Sequence, residues 1–166
     1  MKHLKSLLFA TALFIGATSF TAAQSKIAHI NTQELVKAMP EYKTAQAEIE
    51  KLGKTYEATI QGSLKELETK LTQYNAEAEG QTQEENQKRM AEVEGMKQSL
   101  SQYQQQAQQD LQKKEFDLLK PITEKARVAI EKVAATQGYD YVLEAGGLIV
   151  KKGKDLMADV KAQLGI

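Results

Sequence analysis

The sequence predicts an α+β protein in which a long antiparallel helical hairpin projects from a small β body. Apolar residues within 41–119 recur every three or four positions, which places them on one face of a helix. The pattern is symmetric about a tip near Gly80, as expected of two arms that fold back on each other. Short strand-like runs occur only outside the hairpin, in residues 24–40 and 120–166. These two segments therefore form the predicted body.

The two arms match position by position when residues whose numbers sum to about 160 are paired. Pro40 and Pro121 fall at one level of this match, so each arm begins or ends at a proline. The predicted arm of about 39 residues is ~58 Å long at the usual helical rise. The predicted facing pairs are Leu67 with Val93, Leu64 with Met96, Ile60 with Leu100, Tyr56 with Tyr103, Leu52 with Ala107, Ile49 with Leu111 and Tyr42 with Leu118.

The N-terminus has the pattern of a secretory signal peptide over residues 1–23. Two lysines precede an apolar run at 7–17, and Thr21 and Ala23 occupy the −3 and −1 positions of a cleavage before Gln24. The apolar run is shorter than the roughly 20 residues of a membrane-spanning helix. The chain has no cysteine, so no lipid can be attached at the cleavage site and no disulfide can form. We therefore expect an exported protein of the periplasm.

Composition argues against an enzyme and against nucleic-acid binding. Without the signal peptide the chain has 20 basic and 22 acidic residues, and it lacks the clustered basic surface that nucleic acids require. His29 is then the single histidine, and its place in a strand-like stretch indicates a core residue. There is no Gly-rich phosphate loop and no metal-ligand spacing. No catalytic residue, metal ligand or cofactor is predicted.

The body has three candidate strands at 27–30, 139–143 and 148–150, with a turn at 145–147 between the last two. Such a body is small, and its open strand edges favour completion by oligomerisation. The residues predicted to form the oligomer are Ile27, Ile30, Tyr141, Leu143 and Ile149.

Helix ends in the body have recognisable signals. Asn31 with Glu34 three residues later is typical of a capping box, and Gly138 is a natural C-terminal stop after the helical pattern that resumes beyond Pro121. Asp155 is predicted to cap a last helix that carries Leu156, Val160 and Leu164.

Three glycines lie inside the predicted arms, at Gly53, Gly62 and Gly95. Each costs about 1 kcal/mol relative to alanine in a helix interior. Gly62 and Gly95 fall at nearly one level of the hairpin, which suggests a hinge midway along the arm. The alternative is that these glycines only allow close helix approach or have no role.

The order of these parts resembles the Skp/OmpH family of periplasmic chaperones. The resemblance covers a signal peptide, the strand Lys-Ile-Ala-His-Ile-Asn at 26–31, the helical hairpin, and Gly-Tyr-Asp-Tyr-Val-Leu at 138–143 before a turn and a closing helix. It implies a homotrimer whose strands pool into a central β-barrel and whose hairpins surround a cavity as tentacles. It also implies that unfolded outer-membrane proteins are held in that cavity without ATP.

One departure from the family concerns charge. The best-known members are strongly basic, whereas residues 41–119 have 10 basic and 15 acidic residues. Lys88 and Arg89 are the two basic residues of the tip at 77–94, against six glutamates. This balance argues against contact with lipopolysaccharide or anionic membranes.

A structural envelope adaptor is the alternative interpretation of the hairpin. Efflux adaptors insert such a hairpin between the halves of a sizeable β-domain, whereas only about 17 residues precede the first arm once the signal peptide is removed. An adaptor has no reason to keep an unfolded β-barrel protein soluble, and this difference separates the two hypotheses.

Overall fold

The computed structural model describes residues 25–166, so the predicted signal peptide at 1–23 lies outside the described residues. Within them, no helix combines the length and apolar character needed to cross a membrane. The elements in chain order are β1 (Ile27–Ile30), α1 (Thr32–Ala38), α2 (Pro40–Glu77), a 3-10 turn (Ala78–Gly80), α3 (Gln83–Gln137), β2 (Tyr141–Glu144), a second 3-10 turn (Ala145–Gly147), β3 (Lys154–Asp155) and α4 (Met157–Leu164).

Helices α2 and α3 form the predicted hairpin, with its tip at the predicted position. The Thr82 hydroxyl accepts a hydrogen bond from the Glu85 N–H at 3.2 Å and so caps the start of α3. The Asn86 side-chain amide donates to the Ala78 carbonyl at 2.9 Å, which satisfies a backbone group of the turn. Local hydrogen bonds therefore fix the reversal at Gly80.

The register between the two arms agrees with the sequence symmetry. The rings of Tyr56 and Tyr103 lie 5.9 Å apart in an edge-to-face arrangement, as the pairing rule predicts. Leu67 and Val93, another predicted pair, are both buried. Ion pairs between the arms flank this seam and join Lys70 to Glu92, Arg89 to Glu77, Lys114 to Glu48 and Lys125 to Glu41.

Pro121 does not end a helix, contrary to its interpretation as a boundary. Helix α3 runs without a break over 55 residues, with Pro121 inside it. A proline removes one helical hydrogen bond, which costs least where the freed carbonyl faces water, and both Pro121 and Asp117 are exposed. Ile122 and Ala126, just beyond the proline, are buried in the body. The apolar face thus continues from the arm into the body and holds the helix intact.

The body is a three-stranded parallel sheet in the order β2-β1-β3, covered by helices on one face. Ala28 and Ile30 of the central strand point into the core, where each is 1% exposed. The helices contribute the other buried side chains of this core: Leu35, Met39, Ala45, Ile122, Ala126, Ala129, Val133, Leu156 and Val160. Their burial is the main source of stability in the body.

The prediction of a strand at 148–150 is wrong for the single chain. After β2 the chain makes the 3-10 turn at Ala145–Gly147 and crosses to the far side of β1, where β3 pairs in parallel. Both edges of β1 are then occupied, by β2 and by β3. The outer edges of β2 and β3 stay free, but within residues 25–166 the run at 148–150 pairs with neither of them. It therefore remains an exposed loop.

The predicted caps at Asn31 and Gly138 are confirmed, whereas the N-cap position of α4 is Leu156 and not Asp155, which lies one residue earlier. The Asn31 side chain accepts a hydrogen bond from the Glu34 N–H at 3.0 Å at the start of α1. Gly138 ends α3 with φ of 69°, a left-handed conformation that glycine adopts without a steric cost. Asp155 accepts from the Met157 N–H at 2.8 Å, at the first residue of α4.

Candidate functional site

The uncovered face of the sheet, here called the outer sheet face, is formed by Ile27, Tyr141 and Leu143. Side chains alternate along a strand, so the residues that flank Ala28 and Val142 point away from the core. Ile27 lies beside Tyr141 in the register, and their exposed fractions are 49% and 58%. Leu143 is 42% exposed. Three large apolar side chains thus lie together on one open surface.

The five residues predicted to form the oligomer divide into two groups. Ile27, Tyr141, Leu143 and Ile149 are exposed in the single chain, and Ile149 is completely so. Ile30 is 1% exposed and belongs to the core of its own chain. The exposed four are available to a second copy, and their role in assembly stays a prediction.

Glu144 holds the turn that precedes the exposed loop at 148–150. Its carboxylate accepts hydrogen bonds from the Thr32 hydroxyl, from the Thr32 N–H at 3.1 Å and from the Gly146 N–H at 3.1 Å. Burial alone would raise the pKa of this carboxyl, but the hydrogen bonds outweigh burial, and the pKa is lowered. The ionised Glu144 therefore ties the turn after β2 to the start of α1.

His29 is buried, as its sequence context indicates, although strand alternation places it on the same face of the sheet as Ile27 and not among the core residues Ala28 and Ile30. The side chain is 6% exposed, and neither ring nitrogen has a hydrogen-bond partner among residues 25–166. In the same part of the chain, no three histidine or acidic side chains are grouped to hold a metal ion. Nothing in this arrangement supplies an activated nucleophile or a positioned acid and base.

The seam tyrosines pack between the helices rather than project from them. The Tyr56 hydroxyl donates to Asp110 at 3.0 Å, and the Tyr74 hydroxyl donates to Glu92 at 2.7 Å. Each hydrogen bond raises the pKa of the tyrosine, because the partner carboxylate favours the protonated hydroxyl. These tyrosines fix the register and leave little aromatic surface for a partner.

The exposed apolar side chains of the arm are Leu64, Met90 and Phe116, at 45%, 73% and 62% exposure. The apolar periodicity assigned Leu64 and Met90 to the seam, and the structure corrects this. The pairing rule already indicated that Met90 lies off the seam, because the position that faces it is Lys70 and not an apolar residue. Phe116 does not fit the three- or four-residue spacing that leads from Leu111 to Leu118. This mismatch indicated that its side chain lies off the seam.

The three arm glycines lie inside continuous helix, with no packing reason for their small size. Apart from the adjacent residues and the backbone of the same helical turns, no heavy atom of the described chain lies within 4 Å of a Cβ added at Gly53, Gly62 or Gly95. Close approach of the two helices therefore does not account for them. Their assignment as hinge positions stays a prediction.

Comparison with known proteins finds relatives over nearly the whole chain. The chaperone protein Skp of Yersinia enterocolitica is 27% identical over 151 residues, which cover 89% of this chain and 91% of the relative. The chaperone protein Skp of Pectobacterium atrosepticum is 23% identical over 153 residues, or 92% and 93% of the two chains. Both relatives are named as chaperones, in agreement with the expectation that this chain is not an enzyme.

The fold has a counterpart among solved structures. An outer membrane chaperone (OmpH-like) from Caulobacter crescentus CB15 superposes with a TM-score of 0.74 at 14% identity, over 85% of this chain and 84% of that one. This likeness shows the fold. The family model described as "Outer membrane protein (OmpH-like)" matches residues 26–164. The chain therefore belongs to the OmpH-like family.

Proposed function

We propose that this protein is a periplasmic chaperone that binds unfolded outer-membrane proteins and prevents their aggregation without ATP. The observation that carries the proposal is the arm itself. Its seam buries Leu67, Val93 and Ala107, and the exposed Leu64, Met90 and Phe116 are separated along the arm and form no single patch. An unfolded chain would be held by many weak contacts, and confinement between several arms raises their effective concentration.

The proposal includes a homotrimer assembled through the outer sheet face. Ile27, Tyr141 and Leu143 are apolar and exposed, and the run at 148–150 has no strand partner in its own chain. Exposed apolar surface together with unpaired strand edges favours pairing with further copies. Three copies would place three arms around one cavity, in keeping with the family resemblance.

The test is whether the mature protein keeps an outer-membrane β-barrel protein soluble when that protein is diluted from urea. We expect light scattering to stay low in the absence of ATP. Rapid aggregation at all ratios of the two proteins would contradict the chaperone proposal and favour an envelope adaptor.

A variant of the arm and a control variant of the body test which residues contact the unfolded protein. Replacing Leu64, Met90 and Phe116 with serine should raise the amount of protein needed for protection severalfold, because multivalent contacts weaken together. Val128→Ser removes a side chain that is also half exposed but lies on the body segment of α3, and it should leave protection unchanged. Equal behaviour of the two variants would show that the arm does not bind clients through these residues.

A further inference from the structure

His29 is a buried polar side chain whose hydrogen-bonding groups are unused in the single chain. Its ring nitrogens Nδ1 and Nε2 are closed to solvent, and neither has a hydrogen-bond partner among residues 25–166. A neutral imidazole has one N–H donor and one acceptor nitrogen, so both polar groups of the ring are left without a partner. Buried polar groups in folded proteins are nearly always hydrogen-bonded, because burial separates them from water. The single chain therefore leaves this site incomplete.

The imidazole lies on the side of the sheet that the helices do not cover. His29 is level with Leu143 in β2 and with Asp155 in β3, and it shares a face of β1 with Ile27. A Cβ built at Gly153, just before β3, would be 3.7 Å from Cδ2 of the ring, so the absence of a side chain there makes room for it. The helices pack against the opposite face. Rotation of the His29 side chain can therefore bring a ring nitrogen to the outer sheet face without disturbing the core.

Tyr141 supplies an unused hydroxyl on the same face. It is level with Ile27 in the register and is 58% exposed. Unlike the hydroxyls of the seam tyrosines, its hydroxyl forms no hydrogen bond within residues 25–166. Asp155, the other polar side chain beside His29, already accepts from the backbone N–H at the start of α4. A phenol hydroxyl both donates and accepts, so it suits either nitrogen of a neutral imidazole.

We propose that the Tyr141 hydroxyl of one copy hydrogen-bonds the His29 ring of a second copy when the outer sheet face assembles. In one chain the two residues are diagonal neighbours and do not hydrogen-bond. The pair depends on the proposed homotrimer and supplies its polar contact. In a cyclic assembly each copy gives its hydroxyl to one neighbour and its imidazole to the other, so the same pair closes the ring. Apolar surfaces alone tolerate several registers, whereas a buried polar pair is satisfied in one.

Two conservative variants of the full mature protein test the pair through its effect on association. Tyr141→Phe removes one hydroxyl from an exposed ring, and His29→Leu replaces the imidazole with an apolar side chain. Each change leaves the other group buried in the interface without a partner. We expect each to raise the protein concentration at half dissociation by about tenfold or more in sedimentation equilibrium. Circular dichroism should show unchanged helix content for Tyr141→Phe, because this side chain lies outside the core.

The double variant distinguishes a direct pair from two independent effects. His29→Leu with Tyr141→Phe leaves no unpaired group, so its loss of association should be smaller than the product of the two single losses. Tyr139→Phe is the matched control, because it removes a hydroxyl from a ring packed against the core of the body and should leave association unchanged. Single losses that multiply, or equal losses in Tyr139→Phe and Tyr141→Phe, would overturn the pair.

NMR of the imidazole nitrogens gives a second measurement, because His29 is the single histidine once residues 1–23 are removed. We expect the ring-nitrogen signals of the assembled natural protein to differ from those of assembled Tyr141→Phe. Identical signals would overturn the pair even if His29→Leu failed to fold. A mature protein that stays a single chain at every concentration would overturn the homotrimer and the pair together. Assembly that Tyr141→Phe does not weaken would overturn the pair alone.

Discussion

At the scale of single residues, polar side chains determine where the chain changes direction. Asn31 and Thr82 cap the starts of α1 and α3, and Glu144 joins the turn after β2 to α1. Asn31 was predictable, because its partner Glu34 lies three positions away. Glu144 was not, because its partner Thr32 is 112 positions distant and only the folded sheet brings the two together.

The lowered pKa of Glu144 predicts a pH dependence of stability. A carboxyl whose folded pKa lies below its ordinary value contributes stability above the unfolded pKa, and this contribution is lost as pH falls through the folded pKa. Glu144→Gln should therefore destabilise the protein at neutral pH, with a difference from the natural protein that shrinks below pH 4.5. Urea unfolding at several pH values measures this difference.

Glu68→Gln is the control for that measurement. Glu68 is exposed and forms no ion pair within residues 25–166, so its replacement should change stability little at any pH. A Glu144→Gln effect that is constant with pH would mean that the charge of this carboxylate does not matter to folding.

At the scale of elements, the hairpin was predictable in detail and the last strand was not. Apolar spacing alone determines which faces of α2 and α3 meet, and the contact of Tyr56 with Tyr103 follows from it. The failure at Pro121 has a local reason: packing of Ile122 and Ala126 outweighs one lost hydrogen bond. Strand pairing at 148–150 depends on which edges are free, and that information is not local to the run.

The glycines of the arms give a prediction at this scale. Gly53→Ala, Gly62→Ala and Gly95→Ala in one protein should raise the free energy of unfolding by about 2–3 kcal/mol, since each site has room for a methyl group. Thermal unfolding measures this gain.

The same triple variant tests the hinge. Arms that bend midway accommodate unfolded proteins of different size, so the stiffer variant should protect large β-barrel proteins less well than small ones. Unchanged protection across sizes, together with higher stability, would show that the glycines have no hinge role.

At the scale of the whole molecule, the sheet of the body is covered by its own chain on one face only. Its helices cover one face of the sheet, and the other face presents Ile27, Tyr141 and Leu143 to solvent. Strand alternation in the sequence already placed Ile27 and Ile30 on opposite faces. It could not indicate which of the two faces the helices cover, and the structure shows that Ile30 belongs to the core.

A charge on the outer sheet face or on the exposed loop at 148–150 should abolish assembly. Leu143→Asp or Ile149→Asp would bury an unpaired charge in the proposed interface, which opposes association strongly, while the core of the single chain is untouched. We expect light scattering to report a smaller mass with helix content retained. Val128→Asp, at a half-exposed position of α3, should keep the mass of the natural protein. An assembled Leu143→Asp protein would place the interface elsewhere.

The charge of the arm tips predicts weak interaction with anionic membranes. Residues 77–94 have six acidic and two basic side chains, so the tips should be repelled by vesicles of anionic lipid at low salt. Co-sedimentation with vesicles measures this interaction. Tight binding that salt disrupts would contradict it.

Helix α3 belongs to both the arm and the core of the body, and this makes it a mechanical lever. Ile122, Ala126 and Val133 anchor its lower part, and no glycine interrupts 96–137. From the base of the arm to Gly95 the helix is roughly 38 Å long, so a tilt of about 10° at the body displaces the far end by roughly 6–7 Å. In the proposed homotrimer, small adjustments where the subunits meet would therefore be amplified into changes in the spacing of the arms, and the width of the opening between the arms would be set at the body.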